Sequence, residues 1–240
     1  MNKFSFVISI VIVTILSMNI ICVIGQFSII AFGEMLRKFW MKKHGSSSAK
    51  KNNDSDSKSK VNTLRNLYFG IYRNVVTMIG LVPSNFLRIF FYKNVLKMVI
   101  GRKVFIHKNC EIRNGIKITI GEGTIVGDYA MLDGNGGIEI GNNVNISSRS
   151  SLYSSQHLVQ SPTFEGEFKK IKIGNRAWIS SNTVVLPGVT IGEGAVLASG
   201  GIATNNLDSF MIYGGVPAKI IKKRSPDLSY YFDGKGTWFN

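Results

Sequence analysis

The sequence predicts a mainly β fold, a triangular parallel solenoid of hexapeptides, preceded by a transmembrane helix and a pair of amphipathic helices. Two observations carry the solenoid and a third carries the membrane segment. Aliphatic residues recur six apart at Ile106 and Ile112, at Ile120, Val126 and Leu132, at Ile140, Ile146 and Leu152, and at Ile173, Ile179, Val185, Ile191 and Leu197, thirteen positions in all. The fourth residue after each is mostly small: Thr124, Ala130, Gly136, Ser150, Ala177, Thr183, Ala195 and Gly201. At the other end of the chain, no charged residue interrupts the run between Lys3 and Glu34.

That apolar run sets the reading of residues 1–36 as a membrane anchor. As a helix, residues 4–33 would extend roughly 45 Å at about 1.5 Å per residue, against a hydrocarbon core of about 30 Å, so they can span with tilt. A cleaved signal would have a shorter apolar core, about 7–15 residues, and a small-x-small cleavage site, which the run lacks. Lys3 stands alone before it, whereas Arg37, Lys38, Lys42, Lys43, Lys50, Lys51, Lys58, Lys60 and Arg65 follow. The positive-inside rule then puts the bulk of the protein in the cytosol, on a single-pass plasma-membrane anchor.

Residues 37–61 read as a basic and polar linker, because "GSSSAKKNNDSDSKSK" has no apolar periodicity. The formal charge of +15 raises the question of a nucleic-acid partner. No zinc finger, helix-turn-helix or aromatic RNA-binding motif accompanies it. Attraction to anionic lipid, about 1 kcal/mol per surface cation, explains juxtamembrane basic residues more simply, so no nucleic acid is expected. Cys22 falls in the apolar run and Cys110 in the repeats, so no disulfide is expected between them.

Over residues 62–100, aliphatic and aromatic clusters alternate with Arg65, Arg73, Arg88, Lys93 and Lys97, and Gly80 and Pro83 break the pattern. This predicts two helices, the second starting near Ser84. Two compatible roles are open: capping the end of the next domain, or lying on the membrane surface.

Residues 101–224 hold the solenoid. In a short strand, residues two apart face the same side, so each aliphatic and the small residue ahead of the next one point inward. Gly121, Gly127, Gly141, Gly174 and Gly192 directly follow aliphatics and are expected to permit the corners. Three strands of this kind close an eighteen-residue coil, and four coils at about 4.8 Å per layer would stand roughly 20 Å tall. Eight-residue steps from Ile112 to Ile120 and from Leu132 to Ile140 predict small bulges, and the 21-residue step from Leu152 to Ile173 predicts an extruded loop containing His157. Residues 225–240 are left as a C-terminal tail.

The stretch "IKIGNRAWISSNTVVLPGVTIGEGAVLASGGIAT", followed by "GGVPAKIIKK", resembles the maltose, galactoside and polysaccharide O-acetyltransferases among the hexapeptide-repeat acyltransferases. The resemblance covers about residues 101–224. It implies a left-handed parallel β-helix, a homotrimer, and acetyl-CoA bound as acyl donor between neighbouring solenoids. It puts His157 at the position of the general base, with the Ser181 N–H as oxyanion donor. Either Glu165 or Glu167, or a backbone carbonyl, could orient the imidazole. Trp178 matches a residue bordering the pocket, Ser199 and Thr204 match positions beside the pantetheine arm, and Lys219 and Lys222 match positions near the CoA phosphates. A solvated loop histidine, an aromatic packed on a solenoid face and a basic tail are the structural alternatives for His157, Trp178 and the lysines.

Two departures touch the acceptor: Ser180 replaces the usual glycine after "WI", and Gly127 stands where the sugar acetyltransferases have an asparagine. Asp128, Asp133 and Asn135 could bind sugar hydroxyls, and turn formation explains them equally. The resulting expectation is O-acetylation of a saccharide in a cell-surface polysaccharide or lipid-linked precursor. N-acylation of an amino sugar nucleotide and an inactive scaffold remain as alternatives. No metal is expected, because zinc-dependent hydration on this kind of fold requires three histidine ligands and only one histidine lies near the site.

Overall fold

The computed structural model describes residues 55–234. Contacts divide the chain into two compact units, one ending at Met78 and one beginning at Ile79. The expected anchor over 4–33 and most of the expected linker lie outside the described residues. Among the described residues, no helix is long and apolar enough to cross a membrane.

The first helix, α1 (Ser55–Leu81), begins inside the stretch expected to be linker. Serine and aspartate favour helix starts and lysine propagates helices, so a polar composition there did not exclude one. The helix stops where Pro83, which has no N–H, pushes Val82 out of the helical region.

In the second unit, Ser84 is the N-cap residue of α2 (Asn85–Asn94), in extended conformation. This helix closes the open end of the solenoid. Asn85 accepts the Ile106 N–H at 3.0 Å and donates to the Val104 carbonyl at 3.3 Å. Arg88 donates to the Ile106 carbonyl from Nε at 3.0 Å and from a terminal nitrogen at 2.8 Å. An edge strand buried without such partners would leave its peptide groups unpaired, so polar side chains here replace a missing coil.

Successive coils then lay down three faces. The first face stacks Val99–Ile100, Ile118–Ile120, Ile138–Ile140, Ile171–Ile173 and Thr190–Ile191, all parallel. The second stacks Phe105–Ile106, Ile125–Val126, Asn145–Ile146, Trp178–Ile179, Val196–Leu197 and Met211–Gly214, with Lys219–Lys223 added antiparallel at its end. The third stacks Glu111–Arg113, Met131–Asp133, Ser151–Tyr153, Val184–Val185 and Ile202–Ala203. The solenoid is therefore five complete coils and part of a sixth, taller than the four expected.

All thirteen periodic aliphatics are buried, none more than 4% exposed. The small positions lie beside them, and their hydroxyls are satisfied: Thr124 donates to the Gly141 carbonyl, and Ser150 and Thr183 both donate to that of Ser180, each at 2.8 Å. The corner glycines act differently from expectation. A Cβ on Gly127 would sit 2.5 Å from the Ser148 nitrogen, so glycine is required by the approach of the next coil. The left-handed turn is made further on, by Tyr129, Arg149 and Asn182, with φ of 59°, 59° and 58°.

The described part of the tail, residues 225–234, is bonded to the coils. Arg224 donates to the carbonyls of Gly194 at 2.9 Å and Arg176 at 3.2 Å, and the Tyr230 hydroxyl donates to the same Arg176 carbonyl at 2.7 Å. Further on, the Phe232 N–H reaches Asn143 Oδ1 at 3.1 Å. The segment thus runs back along the corner between the first and second faces, from the last coils toward the first.

Candidate active site

The expected loop after Leu152 is a β-hairpin, Ser155–His157 paired antiparallel with Gly166–Phe168. Its root is fixed by Asp133, which is 2% exposed. The Ser155 hydroxyl donates to Asp133 Oδ2 at 2.5 Å, the Asn135 N–H donates to Oδ1 at 3.1 Å, and the Ser154 hydroxyl donates to the Asp133 carbonyl. On the far strand Lys169 meets Glu167 at 2.7 Å, and Gln156 donates to Glu167 at 2.8 Å. These bonds, Lys169 first, hold the Glu167 carboxyl below its ordinary range.

His157 stands exposed at the end of the first hairpin strand, opposite Gly166. Its ring stacks on Phe164 with centroids 3.8 Å apart and planes 14° from parallel. Nδ1 lies 2.8 Å from the Phe164 carbonyl, which can only accept. In the neutral ring Nδ1 therefore carries the proton and Nε2 keeps its lone pair, the tautomer a general base needs. Of the three orienting partners left open by the sequence, the structure supplies the backbone carbonyl. Glu165 takes the Thr163 hydroxyl at 2.9 Å, and Glu167 is engaged as above. Phe164 has φ of 55°, which turns its carbonyl into the hairpin, and no residue pattern announced that.

Ser181 lies on the corner between the second and third faces, in the fourth coil. Its carbonyl accepts from Gly200, whereas its N–H has no partner among the described residues. The same holds for the N–H of Asp128, Ser148 and Ser199 on the same edge, a ladder of outward amides. An accessible donor is thus a property of the corner, and the resemblance alone singles out Ser181.

Trp178 is on the second face, side chain outward and 45% exposed. Its indole N–H donates to Ser147 Oγ at 3.1 Å, and Ser147 donates to Asn145 Oδ1 at 2.9 Å. The sequence reading missed Ser147 and Asn145. The coil register could have found them, because Asn145 occupies the position directly below Trp178 in the adjacent coil. Ser199 and Thr204 are both exposed, on different corners of the fifth coil, and Lys219 and Lys222 are exposed on the final antiparallel strand. The acceptor candidates are not together either. Asp133 and Asn135 form the turn at the hairpin root, where Lys117 also donates to the Asn135 carbonyl at 2.8 Å. Asp128 sits at the opposite end of that strand, 3.5 Å from His107 Nδ1. Turn formation accounts for Asp133 and Asn135, and the contact with His107 accounts for Asp128. Among the described residues, no group of three or more metal-ligating side chains is present.

Residues 170–201 match the bacterial transferase hexapeptide family (six repeats). The chain is 34% identical over 125 residues to the putative colanic acid biosynthesis acetyltransferase WcaF of Escherichia coli (strain K12), covering 52% of this chain and 69% of that protein. The chain belongs to the hexapeptide-repeat acyltransferases. It is also 41% identical over 68 residues to a probable macrolide acetyltransferase of Lysinibacillus sphaericus, where the match spans 28% of this chain and only 38% of the relative. Among solved structures, a hexapeptide-repeat acetyltransferase from Vibrio cholerae, complexed with acetyl coenzyme A, superposes with a TM-score of 0.57 at 25% identity. That superposition covers 73% of this chain and 94% of the other.

Proposed function

We propose that this hexapeptide-repeat protein is an acetyl-CoA-dependent O-acetyltransferase acting on a sugar hydroxyl of a cell-surface polysaccharide or lipid-linked precursor. The observation that carries the reading is His157, with Nδ1 held by the Phe164 carbonyl at 2.8 Å and Nε2 left with its lone pair. In this reading, Nε2 takes the proton of the acceptor hydroxyl as its oxygen forms a bond to the thioester carbonyl. The Ser181 N–H donates to the oxyanion that develops there. The C–S bond then breaks, and the imidazolium returns the proton to the departing CoA sulfur. Trp178 borders the pocket, Ser199 and Thr204 flank the pantetheine arm, and Lys219 and Lys222 meet the phosphates as point charges.

Within one chain the hairpin of His157 leaves one corner of the third face, and Ser181 occupies the corner at that face's other end. A left-handed solenoid assembled as a homotrimer, which the family resemblance supports, would let the two corners meet across neighbouring copies. An anchor over residues 4–33 on the plasma membrane, with the solenoid in the cytosol, would hold the catalyst beside a lipid-linked acceptor and raise its effective concentration.

The test supplies labelled acetyl-CoA and host membranes to the full chain. Label recovered as an alkali-labile ester on a glycan or glycolipid is the expected result. An alkali-stable amide instead indicates N-acylation of an amino sugar. Absence of transfer together with no rise in Tm on adding acetyl-CoA indicates a scaffold that does not bind the donor.

A further inference from the structure

The helix α2 is amphipathic in the reverse of the usual sense. At about 100° per residue, Asn85, Arg88 and Tyr92 share one side and Phe86, Phe90 and Lys93 share the opposite one. The side turned into the solenoid is the polar one: Arg88 has no exposed surface and serves the edge of the first coil with Asn85. The side turned outward is aromatic. Phe86 is 78% exposed, Phe90 52% and the adjoining Leu87 44%. Capping requires the inward residues and says nothing of the outward ones, and clustered exposed aromatics on a single short helix mark a surface with a partner.

Charge identifies that partner. From residue 57 to residue 110 the chain has no Asp or Glu and ten Lys or Arg. Arg102 and Lys103 share Glu122, at 3.1 and 4.0 Å, but Lys93, Lys97 and Lys108 are exposed and make no ion pair among the described residues. Lys93 continues the line of Phe86 and Phe90 one turn on, so its ammonium can reach past the apolar strip while its stem lies along it. A protein partner would have to supply apolar area and dense negative charge together. An anionic bilayer presents both, an acyl region for the aromatics and phosphates for the lysines.

We infer that the outward face of α2, Phe86, Leu87 and Phe90 with Lys93 and Lys97, is a docking surface for an anionic lipid bilayer. Because α2 covers the first coil, this contact stands the solenoid with its first coil toward the membrane and its last coil away from it. The inference is independent of the acyl-transfer reading.

The experiment uses the full chain with p-benzoylphenylalanine in place of Phe86 or Phe90, and in place of Val216 as reference. Val216 is also exposed but lies at the far end of the solenoid. The protein is irradiated in phosphatidylcholine vesicles with and without phosphatidylglycerol. Lipid adducts at 86 and 90 are expected severalfold above those at 216, rising when phosphatidylglycerol is present. Lys93→Glu with Lys97→Glu is expected to lower the yield at 90 severalfold while leaving Tm unchanged. Adducts to residues 1–53 or to a second copy, yields no higher than at 216, or yields indifferent to phosphatidylglycerol overturn the inference.

Discussion

Leu152 and His157 stand five residues apart and belong to different kinds of structure. Leu152 fills a position the chain repeats throughout the solenoid; it has no exposed surface, and its strand pairs with the coils above and below. His157 is exposed, its strand pairs only with the other arm of its own hairpin, and its ring is set by one carbonyl and one aromatic. The difference separates the part that carries stability from the part that carries the proposed chemistry. Coils stabilise one another through nearest-neighbour contacts, so the periodic part can hold its shape while one step of the period is released for an exception.

The largest effect should come from the exception. His157→Ala should lower the rate of acetyl transfer by about 10²–10⁴-fold, the usual contribution of a general base, with an unchanged circular dichroism spectrum and Tm. Full activity in that variant would remove His157 from the mechanism. The converse substitution is Leu152→Ala, which should cost about 2–5 kcal/mol of stability because the neighbouring coils cannot collapse into the cavity. Denaturant unfolding reads that loss, and a cost below about 1 kcal/mol would mean that the coil relaxes independently of its neighbours.

The same contrast governs what was legible in the sequence. Inward and outward residues alternate by a rule of local geometry, so the positions from Ile106 to Leu197 could be assigned without a structure. The candidate site was legible only through resemblance, because what orients His157 is the carbonyl of Phe164, a residue with φ of 55° whose conformation no side-chain pattern encodes. Helix periodicity predicted two helices over residues 62–100 and left open whether they cap the solenoid or lie on a membrane. It did not show that unpaired edge peptides would draw Arg88 and Asn85 of α2 inside. The C-terminal segment was illegible for a related reason: Arg224 and Tyr230 are aimed at main-chain carbonyls, which leave no trace in the sequence of their partners.

That segment supplies an intermediate case, non-repeating like the hairpin yet bonded to the coils. Tyr230→Phe deletes a 2.7 Å bond to the Arg176 carbonyl and keeps the ring. The expected loss is about 1 kcal/mol in denaturant unfolding, with no change in transfer rate. A drop in rate without a loss of stability would tie the segment to the site instead.

The smallest effect belongs to His107, which lies within the first coil and is the proper contrast to the hairpin histidine. Burial is the main influence on it and lowers its pKa from the ordinary 6.5; Asp128 opposes that shift and Arg88 adds to it. Folding therefore favours the neutral ring, and the unfolded chain takes up the proton first as pH falls. The corresponding stability is complete above about pH 6.5 and is lost as pH drops toward the lower folded value. Wild-type Tm should fall between pH 7 and pH 5 more steeply than that of His107→Gln, which has no proton to bind at this site. Asp128→Asn should steepen the decline, because it removes the carboxylate that favours the charged ring. Identical slopes in all three proteins would mean that the imidazole is as well solvated in the coil as in the unfolded chain.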